Sequence, residues 1–197
     1  TYISDGVEEL HQVSAAAAME DPMLIYAQVD EEDLRRVAER EAEAVKLLTP
    51  LNVEVRVTLP SGERRCRLFT SAPRRLSDGR LVWDGVELDI TDRKIVEQRC
   101  RSTIESSPFG MHFYRLESDD RLVFVGANPA ADNLLGIENA QFIGKTIEEA
   151  FPPLATSEIP AAYRRVAASG EKWESGEIAY DHGGIKGFYS VIAFQIE

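Results

Sequence analysis

The run Val53-Glu54-Val55-Arg56-Val57-Thr58-Leu59 alternates apolar and polar residues and stops at Pro60-Ser61-Gly62-Glu63. A period of two is the signature of a strand with one face buried and one wet. The proline, serine and glycine that follow make a hairpin turn into Arg64 to Ser71, and Ser77-Asp78-Gly79-Arg80 makes another into Leu81 to Ile90. Three antiparallel strands are expected. Upstream, Asp30-Glu31-Glu32-Asp33 precede Leu34, Val37, Ala38, Ala42, Val45 and Leu48, an apolar stripe at helical spacing with acids at its start and Pro50 beyond its end. Before that helix, Val7 to Met19 reads as short helices, and Tyr2 with Ile3 as a piece of strand. Helices followed by a meander of strands make an α+β unit.

The same order recurs downstream. Thr91 to Ser106 is helical, with Ile95 or Val96, Cys100, Thr103 and Ile104 near a three-four spacing, and Pro108 and Gly110 end it. Met111 to Leu116 and Leu122 to Val125 are strands joined by a polar turn. Asn128-Pro129 then opens a short helix through Leu135 that Gly136 closes. Ile159 to Ser169 is a helix stopped by Gly170, and Ser175 to Tyr180 and Ile185 to Ile196 form a hairpin. Arg164-Arg165-Val166-Ala167 copies Arg35-Arg36-Val37-Ala38. Two degenerate copies offset by about 120 to 130 residues fit a tandem repeat.

Composition narrows the function classes. With 22 basic against 34 acidic residues the net charge is -12, which opposes nucleic acid or anionic lipid as a partner held by bulk charge. No apolar run reaches the length of a membrane span, and the first residues lack the basic and apolar regions of a signal peptide. Cys66 and Cys100 have no paired spacing, which fits a reducing, cytoplasmic setting. The first residue is not Met and both ends read as strands, so the chain is expected to be an excerpt of a longer parent.

Trp83-Asp84-Gly85-Val86-Glu87-Leu88-Asp89-Ile90-Thr91-Asp92-Arg93-Lys94 resembles the closing strand and C-terminal PAC motif of a PAS domain. Tyr2-Ile3-Ser4, Val7-Glu8-Glu9-Leu10 and Glu32-Asp33 resemble earlier positions of the same family. In the second copy, Glu105-Ser106-Ser107-Pro108-Phe109-Gly110, Asn128-Pro129-Ala130-Ala131, Leu134-Leu135-Gly136 and Phe142-Ile143-Gly144-Lys145 resemble a PAS opening. Where many relatives carry His and Pro before the Glu-Asp pair, this chain has Val29-Asp30-Glu31, and position 12 is Gln where relatives often have Gly. The resemblance implies two PAS-like domains, 1–94 and 107–197, joined by a linker helix over 95–106. Each would be a five-stranded antiparallel sheet with helices on one face, the first lacking its first strand and the second its PAC tail.

It further implies a cytosolic sensory and dimerisation region of a bacterial signalling protein, acting as a homodimer and not itself a catalyst. The output domain in the same parent chain would be a histidine kinase of a two-component system. A diguanylate cyclase regulator and a ligand-free dimerisation scaffold are the alternatives. Asp89, Thr91, Arg93 and Gln98 are the candidate relay residues at the start of the linker.

The residues themselves bound the chemistry. Haem needs an axial ligand on a long helix, and neither long helix contains His. His11, His112 and His182 sit near a helix end, on a strand and in a turn, where structural or surface roles are expected. A flavin photosensor of this fold needs a reactive Cys in an Asn-Cys-Arg segment of a helix, whereas Cys66 is on a strand and Cys100 in the linker. Neither haem nor flavin-adduct chemistry is expected, nor a metal, and the cofactor stays unknown. Gly183, Gly184 and Gly187 do not lead from a strand into a helix as a phosphate loop does, and no nucleophile sits beside a base in a known motif. No catalytic residue emerges. Tyr114, Asn128, Tyr163, Trp173, Tyr180 and Tyr189 could line a small-molecule pocket with apolar bodies and polar tips. An ordinary packed core competes with that reading, and for Asn128 a helix-capping role outweighs it.

Overall fold

The computed structural model describes residues 2–196, and the chain divides into two compact units between Gln98 and Arg99. In the first, three short helices, α1 (Gly6–His11), α2 (Ala15–Glu20) and α3 (Met23–Tyr26), lead to the long α4 (Glu31–Leu47). Asp30 caps α4 by accepting from the Glu32 amide at 3.2 Å, and Leu48, held in the left-handed region at φ 52°, closes it. Strands β1 (Leu51–Thr58), β2 (Arg64–Arg75) and β3 (Leu81–Asp89) form one antiparallel sheet in that order.

The alternation of β1 sends Leu51, Val53, Val55 and Val57 into a core with Val29, Val37, Ala44 and Leu59, against which Leu34 and Phe69 pack. Fully burying side chains of this size stabilises by roughly 1.5–3 kcal/mol each. The register sets Val53, Phe69 and Glu87 in one row, and Val55, Arg67 and Asp89 in the next. Farther along, Gly85 faces Ser71 so closely that a Cβ on it would lie 2.7 Å from the Ser71 Cβ. Only glycine lets β3 approach β2 there.

The buried Asp33 fastens α4 to β1. Its Oδ2 accepts from the Arg56 amide and from Arg56 Nε, both at 2.8 Å, and Oδ1 accepts from Arg56 Nη2 at 3.0 Å and pairs with Arg36 at 2.9 Å. Gln12 ends α1 in the left-handed region at φ 56°, which a glycine would adopt without strain. Its Oε1 instead accepts from the Ser61 amide at 3.1 Å.

Helix α5 (Thr91–Ser106) follows β3 and buries no side chain. In the second unit β4 (His112–Leu116) pairs with β5 (Leu122–Ala127), then come α6 (Pro129–Leu135), α7 (Ile147–Ala150) and α8 (Ile159–Ser169). The hairpin of β6 (Trp173–His182) and β7 (Ile185–Ala193) completes it, turning through Gly183 and Gly184, both at positive φ. Thr146 and Glu149 form a reciprocal capping box on α7, satisfying two otherwise orphaned amides. The succession of a helix and two strands seen in α4, β1 and β2 returns in α8, β6 and β7.

The fold is a mixed α+β arrangement of antiparallel sheets with helices. Two expectations need correction. Tyr2 and Ile3 are not in a strand, since no neighbouring strand offers them a ladder. Five strands per sheet are also not seen among the described residues. The first unit has one three-stranded sheet, and the second has two separate two-stranded sheets. The second unit's described residues hold no counterpart of β3, so β7 has one partner only.

Candidate functional site

Alternation along β4 turns His112, Tyr114 and Leu116 one way and Arg115 the other, with an irregularity in pairing between Phe113 and Tyr114. Across the pair, Tyr114 stands opposite the fully buried Phe124, and their rings meet edge to face at 5.3 Å. From Tyr114 the aromatic contacts continue to Tyr163 of α8 at 5.5 Å and on to Trp173 of β6 at 6.2 Å. In the other direction His112 touches Phe124 edge-on and stacks on Phe151, both at 5.3 Å. Phe142 and Tyr180 flank Phe151 at 5.0 and 6.3 Å. Edge-to-face and offset geometries are those the ring quadrupoles favour.

Burial holds the polar tips in their neutral forms. It pushes the His112 ring down to about 4, against smaller opposing effects of Asn139 and Asp132. It raises Tyr114 well above the ordinary phenol value, with the neighbouring Tyr163, Tyr180 and Glu148 adding to the effect, and it pushes Tyr163 up to about 12. Tyr180 rises for the same reason. The interior therefore holds hydroxyl groups and an imidazole, all uncharged at neutral pH.

Of the six candidate pocket residues, Tyr114, Tyr163, Trp173, Tyr180 and Tyr189 converge in one apolar cluster with Leu122, Ile147, Ile159 and Ile185. Tyr189 leans back over Gly187, whose Cβ position lies 3.0 Å from the Tyr189 hydroxyl. Asn128 works elsewhere. Its Oδ1 accepts from the Met111 amide at 2.8 Å and from the Ala131 amide at 3.1 Å, and its Nδ2 donates to the carbonyls of Ile104 and Phe109 at 3.0 and 2.9 Å. All four bonds go to main chain. His112, Phe124, Phe142 and Phe151 were not among the residues expected from the sequence to line the pocket. The signal for His112 was present, because it shares the period-two face of Tyr114.

The relay candidates cluster where β3 passes into α5. Asp89 Oδ1 accepts from the Thr91 amide at 2.8 Å, and Thr91 Oγ1 accepts from the Cys66 amide at 2.9 Å. Arg93 and Lys94 both reach Glu54 on β1, at 2.7 and 2.6 Å. Together these contacts fix the first turn of α5 on the first unit's sheet. Gln98 lies farther along the helix on an exposed position.

Among the described residues no three His, Cys, Asp or Glu side chains gather in a way that could hold a metal ion, and no helix is long and apolar enough to cross a membrane. Two surface hollows flank α4: one of about 290 Å³ beside Arg40, Leu47 and Asn52, and an open one of about 590 Å³ beside Glu32 and Arg36. Neither touches the aromatic cluster.

Residues 104–196, nearly all of the second unit, match the family described as PAS fold. No curated protein matches the chain. Among solved structures, 19 chains match. One is a sensory box histidine kinase/response regulator from Burkholderia thailandensis E264, 21% identical, with a TM-score of 0.43, covering 52% of this chain and 76% of that one. Another is an RNA-binding light-oxygen-voltage receptor, 13% identical, with a TM-score of 0.39, covering 86% of this chain and 79% of that one.

Proposed function

We propose that the chain is the sensory region of a cytoplasmic signal-transduction protein, working as a homodimer of two tandem PAS-like domains. In this reading the second unit receives a small-molecule or conformational signal, and an output domain of the same parent chain responds to it. A histidine kinase of a two-component system is the output domain proposed first, and a diguanylate cyclase the alternative. The observation that carries the reading is the aromatic interior of the second unit, where Tyr114, Tyr163 and Tyr180 place neutral hydroxyl groups among rings. Such an interior suits an uncharged guest with an apolar body.

Native mass spectrometry of the freshly purified chain, compared with the denatured chain, tests the receptor role. A discrete extra mass that leaves on unfolding is expected, and Tyr163→Ala should lower its occupancy. A bare mass at all protein concentrations would overturn the ligand reading and leave a dimerisation scaffold, which the close ring packing also suits.

The relay role has its own test in the parent protein. Inserting one residue after Gln98 rotates everything beyond it by about 100° about the helix axis. Phosphotransfer output is expected to change severalfold while circular dichroism and melting stay as they were. Unchanged output with both units folded would remove the relay.

A further inference from the structure

We propose that His11, Glu87, Arg67 and Asp89 form a proton-responsive link within the first unit, through which the charge on His11 sets how firmly the start of α5 is held. The aromatic site plays no part in it. His11, at the end of α1, is completely buried. Its Nδ1 lies 3.0 Å from Gln28 Oε1, while Gln28 Nε2 donates to the carbonyls of His11 and Leu24 at 3.0 and 3.1 Å. The Gln28 amide is thereby oriented, and Nδ1 must carry the hydrogen. On the other side, Nε2 lies 2.8 Å from each carboxylate oxygen of Glu87. Both ring nitrogens face acceptors, an arrangement that only the imidazolium satisfies fully.

The chain of charge continues from Glu87. Arg67, 1% exposed, brings Nε within 3.4 Å of Glu87 Oε1, pairs Nη1 with Asp89, and donates from Nη2 to the Leu10 carbonyl at 2.6 Å. Arg67 Nε and Nη1 and Glu87 Oε1 make no well-aligned hydrogen bond, so the guanidinium is held between the two carboxylates by charge. Asp89 in turn accepts the Thr91 amide that starts α5. The remaining charge nearby is Arg65, 3.8 Å from Asp89 and itself paired with Glu63 at 2.6 Å. Gln28, from the segment between α3 and α4, is neutral.

With His11 charged, two cations face two anions. Loss of its proton sets a ring lone pair against the Glu87 carboxylate and leaves the buried Arg67 between two carboxylates, the partly buried Glu87 and the more exposed Asp89. Arg67 is then drawn to Glu87, and Asp89 with its hold on Thr91 is loosened. Burial by itself works against the charged ring, but the hydrogen bond and charge of Glu87, helped by Gln28, outweigh it and leave His11 raised above the ordinary value of 6.5. A raised value means that the stabilisation is complete below about pH 6.5 and is lost as pH rises through the folded-state value.

The test is amide hydrogen exchange at Thr91 in the whole chain between pH 5.5 and 8.5, corrected for intrinsic exchange, with the His11 ring followed by NMR. Protection at Thr91 is expected to fall roughly five- to tenfold across the His11 titration, and His11→Gln should flatten the profile. A neutral His11 ring at pH 6, a flat wild-type profile, or the same pH dependence in His11→Gln would overturn the proposal. Should His11→Gln fail to fold, Glu87→Gln serves instead, because it keeps an acceptor for Nε2 and removes the charge. A flattened profile in that variant supports the link, and an unchanged one overturns it. These readouts concern the attachment of α5 itself, so they stand apart from the fate of the proposed signalling role.

Discussion

Asn128→Asp should destabilise the second unit by about 3 kcal/mol or more, the largest effect expected of any isosteric change in the chain. Asn128 is 2% exposed and its amide is fully used, with two donors on the Ile104 and Phe109 carbonyls and one acceptor shared by the Met111 and Ala131 amides. Aspartate keeps the acceptor and so still caps α6. It loses both donors and turns a buried oxygen towards two carbonyls, where a carboxylate is repelled and a carboxylic acid can satisfy only one. Chemical denaturation monitored at Trp173, with Trp83 replaced by Phe to isolate the signal, checks this. An Asp variant as stable as the wild type would show that the four bonds contribute little.

Asp33→Ala should cost the first unit about 2 kcal/mol, below the roughly 3–5 kcal/mol for breaking a fully buried ion pair because the arginine partners are half exposed. Its melting temperature should fall by roughly 10 °C, a size typical for a unit of this length. The loss is uneven in pH. The hydrogen bond from the Arg56 side chain, with the Arg56 amide and the nearby Arg36 charge, outweighs burial and holds the Asp33 carboxyl below its usual range. A depressed carboxyl contributes stability that is present above its unfolded-state value and lost as pH falls through its folded-state value. Wild type and Asp33→Asn should therefore converge in melting temperature as pH drops from 5 to 3. Parallel curves would mean that the carboxylate charge is not what fastens α4.

The elements that local pattern controls were legible in the sequence. The alternation from Val53 to Leu59, the acidic start of α4 and the Asn128-Pro129 cap each follow from side-chain spacing or from one hydrogen bond within a few residues. What could not be read depends on register. Nothing near His11 announces Glu87, 76 positions away, and a basic residue at position 67 reads as the wet face of a strand until the pairing of β2 sets it opposite Val55. The tyrosines of the second unit were visible as a set. Their meeting with His112, Phe124 and Phe151 depends on the irregular pairing at Phe113 and on how α7 and α8 close over the sheet. Tyr2 and Ile3 show the opposite failure, since strand propensity without a partner makes no strand.

In the proposed receptor role, the neutral imidazole in the second unit would also act as a filter. A formal negative charge brought into that interior would lose its hydration among rings and aliphatic side chains and meet the acids Glu148 near Tyr114 and Asp132 near His112, a penalty of several kcal/mol even after relaxation. His112 cannot supply the missing cation, because it stays unprotonated down to about 4. In that role, metabolites that circulate as carboxylates or phosphates would thus be rejected by their own solvation, whatever their shape. Among the molecules that remain, selection would fall to ring area and to the placing of one or two hydroxyl or carbonyl groups.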